Sequence, residues 1–174
     1  MKSVKALLPV CLLLASPAMA LTNIGSAGDI HFTLTIKEAT CELQQENIEV
    51  EMGSVQIQRP VVVGRELNQK KFTIGLKDCA FATQAKVTMD GNVDTTDHNL
   101  FAIDEGGATG IALKIMTNDG VQQYPVATDS APVEHIIWFD NTNTLNYTAS
   151  YVAVKQEVTT GAANATLNFT VQYE

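Results

Sequence analysis

The C-terminal end of the sequence alternates strictly between apolar and polar side chains. The odd-numbered residues are apolar: Ala163, Ala165, Leu167, Phe169, Val171 and Tyr173. The even-numbered residues from Asn164 to Glu174 are all polar. Successive side chains of a β-strand point to opposite faces, so this run predicts a strand with one buried face and one solvated face.

A second run of the same kind lies near the other end of the chain. Its apolar members are Ile30, Phe32, Leu34 and Ile36, which alternate with His31, Thr33, Thr35 and Lys37. Further strands are predicted at residues 48–52, 71–76, 85–89, 110–116, 121–126, 135–139 and 145–154. Asn118-Asp119-Gly120 predicts a hairpin turn, and Trp138 is expected in the core. No segment carries a sustained helical stripe, so the pattern predicts an all-β sandwich.

The first 20 residues differ from the rest of the chain. Lys2 and Lys5 are followed by an apolar run and then by Ala18-Met19-Ala20. A basic start, a short apolar run and a small-x-small site predict a cleaved secretory signal peptide. The alternative, a membrane anchor, needs about 20 apolar residues, and this run is shorter.

The acidic balance of the chain limits its partners. Removing 20 of the 174 residues leaves 154, and the loss of Lys2 and Lys5 moves the formal charge from −8 to −10. Nucleic acids are bound through clustered Lys and Arg, so no nucleic-acid partner is predicted. Anionic lipid is likewise a poor ligand for such a surface.

Two cysteines remain after Cys11 leaves with the signal peptide. Cys41 and Cys79 form an even pair in an exported chain, which predicts one disulfide. The rival hypothesis is a metal pair, but a structural zinc site needs four N or S ligands and the histidines are scattered. No metal and no cofactor are therefore predicted. Nucleophile, zinc-protease and phosphate-loop motifs are also missing from the sequence, so it predicts no catalytic residue and no enzyme.

Four short motifs, in order along the chain, resemble those of chaperone–usher pilus subunits of the type 1 fimbrial kind. Gly161 and Tyr173 stand where that family carries a glycine 14th from the C-terminus and a penultimate tyrosine. The other motifs are the stretch from Gly28-Asp29-Ile30 to Thr40-Cys41, Met52-Gly53-Ser54-Val55 and Leu76-Lys77-Asp78-Cys79. The resemblance covers essentially the whole chain.

This resemblance implies an immunoglobulin-like β-sandwich that lacks its last strand and is completed by donor-strand exchange. A periplasmic pilus chaperone, an outer-membrane usher and other pilus subunits are the implied partners. The implied product is a fimbria on the bacterial cell surface that supports cell adhesion. The implied organisation is a signal peptide (1–20), an N-terminal extension (21–37) and a pilin domain (38–174).

The resemblance also assigns roles to the two alternating runs. The implied donor strand carries Ile30, Phe32, Leu34 and Ile36. The implied groove and chaperone-binding strand carries Gly161, Ala163, Ala165, Leu167, Phe169, Val171 and Tyr173. Leu34 departs from the family pattern, which has a small residue seven positions before the first cysteine.

The alternative function is a secreted, self-contained immunoglobulin-like binding module. In such a module the two end strands pair within one complete sandwich. Alternation by itself fits both hypotheses, and the spacing of Gly161 and Tyr173 favours the pilus subunit.

Overall fold

The computed structural model describes residues 32–34, 40–128, 131–138 and 142–174. The chain divides into two units, Met1–Thr35 and Ile36–Glu174. Of the first unit only residues 32–34 are described, and they lie outside any strand. The described strands all belong to the second unit.

The second unit is built from β-strands, and no α-helix occurs in its described part. The strands are β1 (Thr40–Leu43), β2 (Glu66–Ala80), β3 (Gln84–Asp90), β4 (Ile111–Thr117), β5 (Gln122–Gln123), β6 (Val133–Ile136), β7 (Thr142–Ala153) and β8 (Asn168–Tyr173). A short 3-10 turn at Val126–Thr128 follows β5. The described part of the chain contains no helix that is long and apolar enough to cross a membrane.

The strands form two antiparallel sheets. The larger sheet has the order β1-β2-β7-β4-β5, and the smaller sheet has the order β6-β3-β8. The longest pairing joins β2 to β7 and runs from Glu66↔Val152 to Lys77↔Thr142. The prediction of an all-β sandwich is confirmed.

The core lies between the two sheets because each strand turns its apolar face inward. Ile74 and Leu76 of β2 and Tyr147 of β7 are buried in one cluster with Val87 of β3. Toward its end β7 is buried on both faces. There Leu100 joins a second buried cluster with Ala112 of β4, Val152 of β7 and Val154, which directly follows β7.

The predicted hairpin is confirmed between β4 and β5. The Thr117 amide donates to the Val121 carbonyl at 2.8 Å, and the Gly120 amide donates back to the Thr117 carbonyl at 3.1 Å. Gly120 has a φ of +90°, which glycine adopts without the steric cost of a side chain. The Thr117 hydroxyl, through its hydrogen bond, lowers the pKa of Asp119 in the same turn.

One predicted strand, at residues 48–52, is wrong, and another, at residues 121–126, is shorter than expected. Residues 48–52 keep an alternating pattern, with Ile48 and Met52 packed on the core, but they form no strand. The Met52 carbonyl accepts a hydrogen bond from the side-chain amide of Asn68. Strand β5 spans only Gln122–Gln123. Further along the same edge of β4, Leu113 pairs with Phe101 instead, through amide-to-carbonyl bonds of 2.8 and 2.9 Å.

The prediction that Trp138 belongs to the core is wrong. Its side chain is 68% exposed, and Ile136 is 72% exposed on the same face. Alternation along the edge strand β6 sends Val133 and Ile137 inward, so Trp138 points outward. The Trp138 backbone is held by Asn143, whose side chain bonds the Trp138 amide at 2.9 Å and its carbonyl at 3.0 Å.

Candidate functional site

The C-terminal segment presents its odd-numbered side chains to the core. The apolar members pack against the main buried cluster and are only half-buried: Ala163, Ala165, Leu167, Phe169, Val171 and Tyr173. The even-numbered side chains from Ala162 to Glu174 are exposed. Burial raises the pKa of the Tyr173 hydroxyl, in keeping with a ring that rests on the core.

The hydrogen-bonded part of the C-terminal strand begins later in the sequence than the alternation of apolar and polar side chains. Strand β8 starts at Asn168, whereas the sequence predicted a strand from Ala163. The stretch before Asn168 keeps the alternating burial without forming a ladder with β3. Strand β3 ends at Asp90, opposite Asn168, so the upstream residues have no strand beside them to pair with.

One edge of β8 carries no partner strand within the described residues. Strand β8 pairs with β3, from Ala85↔Tyr173 to Asp90↔Asn168, and it ends the order of the smaller sheet. An unpaired edge presents a row of free amide and carbonyl groups that another strand can bind.

The hydrogen-bond pattern shows which residues face that edge. Gln84 and Glu174 exchange amide-to-carbonyl bonds of 3.1 and 3.0 Å. In an antiparallel pair such bonded positions recur at every second residue, so even-numbered residues of β8 bond to β3. The backbone groups of Phe169, Val171 and Tyr173 therefore point to the free edge. The same residues supply half-buried side chains and unpaired backbone, which together form a site that can accept a further β-strand.

Three backbone carbonyls of the segment upstream of β8 accept hydrogen bonds from other parts of the domain. The Ala162 carbonyl accepts from the Ala108 amide at 2.7 Å, and the Asn164 carbonyl accepts from the Asp104 amide at 2.7 Å. The Ala163 carbonyl between them accepts a hydrogen bond from the Tyr151 hydroxyl. The sequence predicted Tyr151 only as a strand residue, because contacts between distant segments leave no local pattern.

Gly161 lies where this segment passes close to the loop before β4. A Cβ atom at Gly161 would lie 2.7 Å from the Ala108 nitrogen and 2.9 Å from the Gly107 carbonyl carbon. Both neighbours are backbone atoms, which cannot rotate away. Close approach is therefore a physical reason for glycine at this position.

Replacing Gly161 by Ala is expected to lower the free energy of unfolding by about 1–3 kcal/mol, the usual cost of overpacking. Denaturant unfolding of the two proteins would measure the loss. Gly75→Ala is the matched control, because a Cβ there would meet the flexible Gln44 side chain instead of backbone. Equal losses in both variants would show that the backbone contact at Gly161 is not the cause.

The disulfide prediction is confirmed. Cys41 of β1 and Cys79 of β2 are bonded, with their Cα atoms 4.2 Å apart. The two strands are antiparallel neighbours, and their pairing is irregular between Thr40 and Glu42. The bond therefore ties the edge strand β1 to the larger sheet.

The residues predicted for a donor strand are only partly described. Phe32 and Leu34 are 92% and 84% exposed. Ile30 and Ile36 lie outside the described residues. The structure thus describes two large, exposed apolar side chains in the first unit.

Ionisable side chains tie strands together in this domain. Lys86 of β3 reaches Glu174 at 2.6 Å, and this hydrogen bond raises the pKa of the lysine. His135 of β6 contacts the Tyr147 hydroxyl of β7 at 2.7 Å and so joins the two sheets. Burial lowers the pKa of His135. Among the described residues no group of His, Cys, Asp and Glu could hold a metal ion.

Comparison with known proteins gives concordant matches. The family model described as "Fimbrial protein" matches residues 30–174. The chain is 66% identical over 175 residues to Protein LpfE of Salmonella typhimurium, covering 100% of both. It is 44% identical to the probable fimbrial subunit LpfE of Escherichia coli O157:H7, covering 93% of this chain and 92% of that one.

A solved structure shares the fold. The crystal structure of the P pilus rod subunit PapA matches with a TM-score of 0.60 and 22% identity, over 77% of this chain and 99% of that one. The sandwich is therefore immunoglobulin-like, and the hypothesis of a self-contained binding module is not favoured. The chain belongs to the fimbrial protein family and is a structural, non-enzymatic subunit of a bacterial surface pilus.

Proposed function

We propose that this subunit polymerises by donating and accepting β-strands. Its accepting site is the free edge of β8 with the half-buried face beneath it, and this edge is the observation that carries the proposal. Adding an extended segment to a sheet edge is a known mode of recognition, for which chaperone–pilin complementation is a standard example. Main-chain bonds would hold the segment, and alternate side chains would fill the space above the core.

The proposed donor is the N-terminal extension of a neighbouring subunit, residues 21–37. Ile30, Phe32, Leu34 and Ile36 would present one apolar face to the groove. Each large apolar side chain that becomes fully buried contributes about 1.5–3 kcal/mol. The exposure of Phe32 and Leu34 supports this role, because solvent-exposed apolar side chains are available for burial.

Leu34 gives the donor strand a particular shape. It is larger than the small residue that the family pattern has at that position, and overpacking an apolar site costs about 1–3 kcal/mol. The acceptor that takes this strand therefore needs a wider pocket opposite Leu34. Only neighbouring subunits that have such a pocket would therefore accept this donor strand.

The same groove would be occupied before assembly by a periplasmic chaperone. A half-covered apolar face and a free sheet edge promote aggregation in an unassembled subunit. Signal-peptide cleavage after Ala20, passage through the periplasm and delivery by an outer-membrane usher complete the proposed route to the cell surface. Pilin domain 38–174 would then form the body of the fibre.

A synthetic peptide of residues 28–38 tests the accepting site directly. Added to the mature full-length chain at about 100 times its dissociation constant, it is expected to stabilise the fold by about 2.7 kcal/mol. That corresponds to a rise in melting temperature of about 5–10 °C for a domain of this size. Differential scanning calorimetry measures the rise, and a peptide of the same composition in scrambled order is the control. Equal effects of both peptides would contradict the proposal.

A further inference from the structure

We propose that Tyr151 sets the point at which pairing with an incoming strand ends, and so determines the register of strand exchange. This inference rests on the proposed function, because it concerns the same free edge. It adds a specificity-determining residue that lies on β7, in the opposite sheet, and not on the donor or acceptor strand itself.

The alternation of backbone groups places the Ala163 carbonyl on the free edge. Odd-numbered residues of β8 turn their backbone groups away from β3, and alternating burial continues without interruption back to Ala163. The carbonyls of Ala162 and Asn164 point to the loop that carries Ala108 and Asp104, where each accepts an amide at 2.7 Å. The Ala163 carbonyl therefore points the other way, in line with those of Ala165 and Leu167.

The Ala163 carbonyl already has a hydrogen-bond donor within the domain, the hydroxyl of Tyr151. The Tyr151 side chain crosses the core from β7, is only 7% exposed, and donates its hydroxyl hydrogen to the Ala163 oxygen. Burial raises the pKa of Tyr151, so the hydroxyl remains protonated, as a donor must be, well into the alkaline range.

A ladder on this edge would therefore have a defined end. An incoming strand can bond to the backbone of Ala165, Leu167, Phe169, Val171 and Tyr173. At Ala163 the acceptor is taken by a hydroxyl that comes from within the domain. An incoming amide there would have to share the oxygen with the Tyr151 hydroxyl or displace it, and displacement would leave a buried hydroxyl without its partner, which is unfavourable.

The experiment removes the hydroxyl alone. A ¹⁵N-labelled peptide of residues 28–38 is bound to the mature full-length chain, and amide exchange is followed by NMR. With the wild-type chain, protected peptide amides are expected at alternate positions and to stop opposite Ala165. With Tyr151→Phe, one further amide opposite Ala163 should become protected. One added hydrogen bond should slow peptide dissociation about two- to tenfold.

Tyr147→Phe is the matched control. It also removes a buried hydroxyl from β7, but that hydroxyl is hydrogen-bonded to His135 and not to Ala163. Its protected amides should match those of the wild-type complex. An amide opposite Ala163 that is already protected in the wild type would overturn the role of Tyr151, since the carbonyl would then accept two bonds. An unchanged ladder in Tyr151→Phe, or loss of binding in that variant alone, would overturn it too. Failure of the peptide to bind any of the three proteins would instead contradict strand uptake itself.

Discussion

Replacing Phe32 by Asp is expected to remove the subunit from fibres while leaving its own domain folded. In the proposed assembly Phe32 enters the groove of a neighbouring subunit. A carboxylate in that apolar site costs several kcal/mol, which is comparable to the whole contribution of one buried aromatic side chain. The proposed accepting groove of the variant consists of residues 163–173, which do not include the substituted position, so we expect it to be unaffected by the change.

Electron microscopy of surface fibres, together with the amount of subunit in the periplasm, measures the result. His31→Asp is the control, because it places the same charge on the opposite face of the alternating run. Phe32→Leu should retain incorporation, since it keeps an apolar side chain at that position. Normal fibres from Phe32→Asp would exclude this segment as the donor.

Removing the disulfide is expected to lower the free energy of unfolding by about 4 kcal/mol. The bond between Cys41 and Cys79 closes a sequence separation of 38 residues. Closing a loop of that length lowers the conformational entropy of the unfolded chain, which stabilises the folded state by about 4 kcal/mol. The native state is affected as well, because β1 is an edge strand with an irregular pairing to β2.

Denaturant unfolding of the double variant Cys41→Ala, Cys79→Ala measures this loss. The peptide of residues 28–38 should be present at saturation in both samples, so that an open groove does not obscure the comparison. Reduced wild-type chain should unfold at about the same denaturant concentration as the double variant, and reductant should have no effect on the variant. A loss below about 1 kcal/mol would show that β1 is held in place without the bond.

Local alternation was sufficient to predict several of the strands. Residues 145–154 and 85–89 correspond to β7 and β3, because a half-buried strand requires an apolar side chain at every second position. The hairpin around Gly120 followed from turn chemistry, which also acts locally. The pairing of Cys41 with Cys79 followed from counting, since only two cysteines remain once the predicted signal peptide is removed.

The same alternation could not show which strands have partners. Residues 48–52 alternate as a strand does, yet no ladder forms there. Trp138 lies in an apolar stretch, but it is exposed because it lies on the face opposite to that of Val133 and Ile137, which point into the core. Partners are chosen by the packing of distant segments, which a short stretch of sequence does not encode.

For the candidate site, the sequence by itself determined the apolar face of the C-terminal segment, the glycine at 161 and the cysteine pair. Tertiary structure alone decided that β8 lies at a sheet edge, that its odd-numbered backbone groups are the free ones, and that Tyr151 occupies the Ala163 carbonyl. The reason is physical: side-chain alternation is a property of one strand's own geometry. Hydrogen-bond partners and close approaches depend instead on where other parts of the chain lie in space.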